Sequence, residues 1–340
     1  MGAAFIQSNL ICMNRYSIYI SLIFLAGIIT PASHAQVFHK KDRYHSIGAN
    51  INAMNYVGEV DPGPSVVSPS LSYTRYNIGV CYMYKLKPHL FIRGNASYGR
   101  IKGDDYKNAS YEIEDIHRKL RNVNFRNQIF EAKLDAVIDF KGNYLHYRKR
   151  PDIVPYATLG IAYFYHNPQG YSPDGEWVDL KPLSTEGQGL PGTGIKEYSL
   201  HQIAIPVGLG VRYKLARHWD LAFEIAWRFT FTDYLDDVSG VYADRDYILE
   251  QKGDLAAAMS NRVGEAIAKD AELKSFVENR QGGYVTKENN RYNGSGDMYV
   301  KSYNVPGAQR GDKNKDWYIV SGFHLIYIFP PRVICPKFRK

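Results

Sequence analysis

The chain has 340 residues, 42 Lys and Arg against 34 Asp and Glu, a formal net charge of +8 and three cysteines. A hydrophobic share of 45% with 22% charged residues excludes both a disordered chain and a polytopic helical membrane protein. Three cysteines are too few for a disulfide scaffold, and no CxxC or Cys/His cluster has zinc spacing, so no metal or cofactor is expected. Aromatic usage is skewed, with 28 Tyr, 15 Phe and 4 Trp, which suits a surface half wet and half apolar.

Residues 1–35 read as a cleaved secretory signal. Arg15 precedes the uncharged run Tyr16 to Thr30, and Ser33 and Ala35 stand at the −3 and −1 positions of a cut before Gln36. The alternative, an N-terminal anchor, would need about 20 apolar residues, and this run is shorter. Cys12 lies before the apolar core, so it is not a lipid-bearing cysteine.

Beyond the signal, the recurring pattern is alternation with a period of two. In Tyr76 to Leu86 the even positions are Tyr76, Ile78, Val80, Tyr82, Tyr84 and Leu86. Phe130, Ala132, Leu134, Ala136, Ile138 and Phe140 form one face of a second segment, whose other face carries Glu131, Lys133, Asp135 and Asp139. Leu221 to Phe231 repeats the pattern, with Glu224 and Arg228 opposite its apolar row. Eight such segments are expected, at 43–56, 71–86, 89–101, 122–140, 153–165, 198–214, 218–232 and 316–329. Each is long enough for the ~9–11 residues with which a tilted strand crosses a bilayer. A soluble sandwich or lipocalin-like barrel also alternates, but its strands are usually shorter.

Connections alternate between short and long, as in outer-membrane barrels. The chain is therefore expected to be all-β: an eight-stranded antiparallel transmembrane outer-membrane β-barrel over residues 36–329. Short turns and both termini would lie in the periplasm, with the long loops outside. The last loop, 233–315, contains an expected helix near 254–279, with Leu255, Met259, Val263 and Ile267 at helical spacing. That face is expected to pack on neighbouring loops. A basic periplasmic tail follows at 330–340.

Eight strands leave a lumen that side chains can fill. The inward set places Arg93, Lys133, Arg212, Lys214 and Arg228 against Glu131, Asp135, Asp139 and Glu224, and charges in so narrow a space should pair. A filled interior, not a channel, is expected. The short turns and tail are basic: Lys85, Lys87, Lys141, Arg148, Lys149, Arg150, Lys214 and Arg217, then Arg332, Lys337, Arg339 and Lys340. Such a face suits anionic headgroups or peptidoglycan, or an acidic protein partner docked at Arg148, Lys149, Arg150, Arg217, Arg332 and Lys337.

Cys81 points into the lumen and Cys335 lies in the tail, beside Pro330, Pro331 and Pro336. A lone accessible thiol in an exported protein suggests an intermolecular disulfide from Cys335; a Cys81–Cys335 bridge and a free thiol are the alternatives. His166, His201 and Ser199 could meet at the outer rim as a hydrolase-like group, yet rim Ser and His are usually solvated turn residues. Asp233, Asp236 and Asp237 lack the alternating spacing of a calcium loop, and capping a turn is their expected role. No Gly-rich phosphate loop and no nucleic-acid motif is present.

Longer runs carry a resemblance. These are Asn55-Tyr56-Val57-Gly58-Glu59, Arg121 to Arg126, Pro155-Tyr156, Asn167-Pro168-Gln169, Trp177 to Gly189, Thr232 to Ser239, Arg310-Gly311 and Asp316-Trp317-Tyr318. In them the chain resembles the PorG family, an outer-membrane barrel of the type IX (Por) secretion system. One departure is Gly58-Glu59, where the family pattern has Gly-Asp. The resemblance implies a non-enzymatic outer-membrane component of the secretion and gliding machinery. It would dock a periplasmic ring formed by a lipoprotein and its partner subunit. The alternative is a freestanding small barrel, structural or lipid-modifying. No individual docking residue is carried over from the family.

Overall fold

The computed structural model describes residues 42–60, 71–112, 115–280, 284–287, 297–300, 303–312 and 314–330. Residues 1–35, expected to be a signal, and most of the tail, with Arg332, Cys335 and Lys337, lie outside the described residues. Alternation becomes strand wherever it was read. The long strands are β1 (His45–Val57), β2 (Arg75–Lys87), β3 (Leu90–Asp104), β4 (Asn124–Asp139), β5 (Ile153–Tyr171), β6 (His201–Lys214), β7 (Trp219–Thr230) and β8 (Trp317–Ile328). Each pairs antiparallel with its sequence neighbour, and β1 pairs with β8 from Ser46↔Ile328 to Val57↔Trp317. That last ladder closes the sheet into an eight-stranded antiparallel barrel of the outer-membrane type and leaves no long strand an open edge.

The period-two pattern decides what each face meets. Outward positions are large, apolar and exposed, from Ile51 and Val80 to Leu209 and Phe323. On a water-soluble protein so large an apolar surface would drive aggregation; around a barrel it is the band that meets hydrocarbon. Aromatic rings gather towards both margins of this band. Tyr82, Tyr213, Trp219 and Tyr327 lie near the short turns, and Tyr76, Tyr98, Phe130, Phe229 and Trp317 near the long loops. Such girdles place amphipathic rings at the two interfaces.

β2 and β3 are joined by a two-residue turn and β6 and β7 by 215–218, while 140–152 links β4 to β5. The opposite end carries the long connections. There β5 runs on to Tyr171 and pairs with a short strand, Trp177–Asp179. The helix expected over 254–279 is divided into three: Asp254–Ser260, Val263–Lys269 and Ala271–Arg280. The backbone is extended at Asn261 and Asp270, so no continuous helix forms. A helix at Arg245–Lys252 precedes them. Asp244 caps its start by accepting from the Asp246 and Tyr247 amides, and Gly253, at φ +86, ends it in a conformation that suits only glycine. Met259, Val263 and Ile267 are buried. Val263, Ala266, Ile267, Leu273 and Val277 pack on Ile116 and Leu120, so the last loop docks on the loop between β3 and β4.

Candidate functional site

The lumen is the first candidate. Inward parity on β3, β4, β6 and β7 brings Arg93, Lys133, Arg212 and Arg228 together with Glu131, Asp135, Asp139 and Glu224, all buried. Arg93 lies between two acids. Its Nε donates to Asp135 Oδ1 at 3.1 Å, and its Nη1 and Nη2 donate to Glu224 Oε2 and Oε1 at 2.6 and 2.9 Å. Lys133 Nζ reaches the same pair, at 3.2 Å to Asp135 and 3.6 Å to Glu224. Tyr156 adds a donor to Glu224 Oε2 at 3.0 Å. One layer nearer the long loops, Arg228 Nε meets Glu131 Oε2 at 3.0 Å and the Tyr318 hydroxyl donates to the same oxygen at 2.8 Å. One layer nearer the short turns, Arg212 pairs with Asp139. In this low-dielectric space, forked guanidinium–carboxylate pairs replace the water each charge has lost.

The stack continues through Arg150. Expected as an exposed docking residue, Arg150 is instead only 6% exposed. Its Nε donates to Asp220 Oδ1 at 2.8 Å, and its Nη atoms donate to the carbonyls of Tyr147, Ala216, Arg217 and Trp219. It closes the short-turn end of the barrel instead of facing a partner. Lys85, expected at the first turn, is also buried; its Nζ donates to the Asn143 carbonyl at 2.6 Å. Lys214 is half-buried and pairs with Asp152 at 3.4 Å. Lys87, Lys141, Arg148, Lys149 and Arg217 remain exposed at that end.

The opposite mouth is built differently. The Tyr56 hydroxyl lies 2.7 Å from Asp236 Oδ2 and 2.6 Å from Asp316 Oδ1. A phenol has one proton, so one of these two contacts needs a second proton from a carboxyl. Asp236 Oδ1 also accepts from the Val238 amide at 2.9 Å, and Asp316 Oδ2 from the Leu235 amide at 2.8 Å. Glu59 completes the group, with one oxygen of each acid within 4.8 Å of the others. Gly58 leaves the space, since a Cβ there would overlap the Tyr56 hydroxyl and Asp316 Oδ1.

Burial raises the Asp316 carboxyl to about 7. It also raises Asp236 well above the ordinary carboxylate range, with the Asp316 charge adding to the effect. Burial and the charges of Asp236 and Asp316 raise Glu59 to about 11. Three oxygens so close could suit a hard cation. The Asp236 and Asp316 oxygens already accept hydrogen bonds, however, and the arrangement is that of acids sharing protons.

Other expected residues fall apart or outside. Ser199 Oγ accepts from the His201 amide at 3.1 Å, and His166 reaches the Ser199 carbonyl at 3.3 Å, not its hydroxyl. His201 Nδ1 lies 2.6 Å from the Tyr163 hydroxyl. These three side chains form no nucleophile–base pair. Asp233 accepts from Ser239 Oγ at 2.6 Å, and Asp237, in the left-handed conformation, accepts from Tyr198 and Thr185. With Asp236 bonded to the Val238 amide, the run Asp233 to Asp237 shapes a loop. Cys81 is a buried free thiol, and Cys335 lies outside the described residues. The sequence reading did not place Tyr156, Asp220 or Tyr318 in the lumen. All three have inward parity on their strands, a signal hidden by attention to the apolar rows.

The fold and lumen thus define a closed barrel of the outer-membrane type, filled by paired charge. A family described as a domain of unknown function (DUF6089) matches residues 25–182, under half of the chain. No curated protein matches. Among solved structures, OprG from Pseudomonas aeruginosa is similar at 10% identity over 85% of this chain and 97% of its own, with a TM-score of 0.35. Ail, the attachment invasion locus protein of Yersinia pestis, is 8% identical over 84% and 97%, with a TM-score of 0.32. Neisserial surface protein A is 10% identical over 84% and 96%, with a TM-score of 0.29.

Proposed function

We propose that the protein is a non-enzymatic outer-membrane barrel that anchors a periplasmic partner instead of conducting a solute. The observation that carries this reading is the split between its charges. Cations and carboxylates inside the barrel neutralise one another, whereas Lys87, Lys141, Arg148, Lys149 and Arg217 stand exposed together at the short-turn end. A surface of one sign steers and orients an acidic partner. With the short turns in the periplasm, the resemblance to the PorG family supplies the partner: the ring of lipoprotein and partner subunit of the type IX secretion machinery. A reducible bond from Cys335 to that ring belongs to the same reading.

The test is recovery of the ring with tagged barrel extracted from membranes. Arg148→Glu with Lys149→Glu and Arg217→Glu should abolish co-purification while the barrel still inserts; undiminished recovery would overturn the docking role. Non-reducing electrophoresis tests the Cys335 bond, which is refuted if no reducible high-mass band contains the barrel. Planar-bilayer recordings test the filled lumen. Steady open channels from pure protein would contradict it.

A further inference from the structure

The lipid-facing wall has a gap, and the gap lies below a group of positive charges. Along the cross-strand row Ala49, Val80, Ala96 and Ala132, every outward side chain is small or medium. The next row towards the long loops is large: Ile51, Ile78, Tyr98, Phe130 and Tyr165. The row on the other side has Tyr82 and Leu134 flanking Gly94, whose missing side chain leaves open space, with no atom within 4 Å of where a Cβ would stand. Ala96 therefore lies low on β3 between Val80 on β2 and Ala132 on β4, with Gly94 next along the strand. A depression of about 740 Å³ lies across the Ala96 row: Ala49, Val80, Ala96 and Ala132 line its floor, and Ile78, Tyr98, Phe130 and Tyr163 rise around it.

The same outward parity continues up β3 and β4, past Tyr98 and Phe130, to Arg100, Lys102 and Arg126. Arg100 faces Gln128 across the ladder and Lys102 faces Arg126. Arg126 is held, its guanidinium 4.4 Å from the centre of the Trp177 ring and its Nε donating to Gln169 at 2.8 Å. No carboxylate pairs with any of the three among the described residues, and they sit side by side despite their like charge. From Ala96 to Arg100 the strand advances four residues, about 13 Å. That is the spacing of a chain in hydrocarbon from a headgroup at the interface.

We infer that this face binds the phosphorylated, multiply acylated glycolipid of the outer leaflet, lipid A, with one acyl chain in the depression and its phosphate on Arg100, Lys102 and Arg126. The inference rests on the outer-membrane reading, which puts the long-loop end in that leaflet. Charge complementarity selects an anionic lipid, because a cluster of like charge at a membrane face is stabilised by phosphate. The depression selects a chain held by shape, since lipid packed on a smooth wall gains nothing from one position over another.

The test uses full-length protein in detergent, mixed with lipid A or with phosphatidylglycerol and read by native mass spectrometry. Wild type should retain one lipid A per barrel and hold phosphatidylglycerol more weakly. Arg100→Glu with Lys102→Glu and Arg126→Glu should weaken lipid A retention by roughly a hundredfold, three lost charges each changing affinity several-fold. Ala96→Trp with Ala132→Leu fills the depression from the lipid side and should weaken retention while leaving the charges intact. Equal retention by wild type and both variants overturns the site. Phosphatidylglycerol held as tightly as lipid A overturns the choice of lipid. Failure of wild type to insert into vesicles would instead refute the membrane reading, and the site with it.

Discussion

Buried carboxylates are handled in two ways along the axis of this barrel. At the waist, Asp135 and Glu224 share the Arg93 guanidinium and the Lys133 ammonium. At the long-loop mouth, Asp236, Asp316 and Glu59 meet near one tyrosine hydroxyl, and among the described residues no cation forms an ion pair with them. The chemistry follows from where each set sits. A lumen lined by rigid strands fixes its side chains at ladder spacing, so a forked guanidinium can be placed between two acids. Loop residues converging on a rim bring backbone amides to a phenol at the end of β1 instead, and the remaining charge is removed by protonation. One end should therefore be sensitive to the loss of a side chain, and the other to pH.

The largest expected effect breaks the waist. Arg93→Ala leaves Asp135 and Glu224 buried with only Lys133 between them, and removing one partner from such a network costs about 3–5 kcal/mol. Urea unfolding in vesicles, followed by the heat-sensitive gel mobility of folded barrels, should show that loss. Arg93→Lys should recover only part of it, because an ammonium lacks the planar five-donor fork with which Arg93 grips both carboxylates. A loss below about 1 kcal/mol for Arg93→Ala would mean that these pairs do not hold the barrel.

The mouth should respond to pH with a definite sign. The folded-state values of Asp316, about 7, and Asp237, about 6, lie above the ordinary unfolded value near 3.9. Between those limits the native state binds more protons than the unfolded chain. The stabilisation is therefore complete below about pH 4 and is lost as pH rises through 6 and 7. Asp236→Asn mimics the protonated acid: its amide can donate to the Tyr56 oxygen while its carbonyl keeps the Val238 amide. Stability measured at pH 5 and pH 8 should fall for wild type and fall less for Asp236→Asn. Equal slopes would show that the cluster does not share protons as drawn.

How much of this was legible depends on the period of the signal. A strand turns its side chains over at every residue, so Phe130 to Asp139 shows its apolar and charged faces to anyone reading alternate letters. The barrel and the Arg93, Asp135 and Glu224 set followed from that parity. Lys85 continues the inward parity of Cys81 and Met83, but its nearness to the turn makes a basic residue read as exposed; Arg150 lies in the 140–152 connection, where no parity applies. Only the fold of 140–152 under the barrel reveals that Asp220, Asn143 and four backbone carbonyls are waiting for them. The Tyr56, Asp236 and Asp316 group was out of reach for another reason. Its members are 180 and 260 residues from Tyr56, and no local spacing relates them.

The smallest expected effect sharpens the same comparison from the surface. Arg148 and Lys149 are exposed beside the buried Arg150, so a single basic run is divided between surface and interior. Arg148→Glu with Lys149→Glu should change unfolding stability by no more than about 0.5 kcal/mol, since neither side chain faces a buried acid. Arg150→Glu puts a negative charge against Asp220 and strips donors from four carbonyls, so it should destabilise by several kcal/mol. The pair of measurements separates the exposed basic surface, proposed for docking, from the closure beneath it. If the exposed pair proved as costly as Arg150, the basic end would be part of the barrel's own packing, and its charge would no longer argue for a partner.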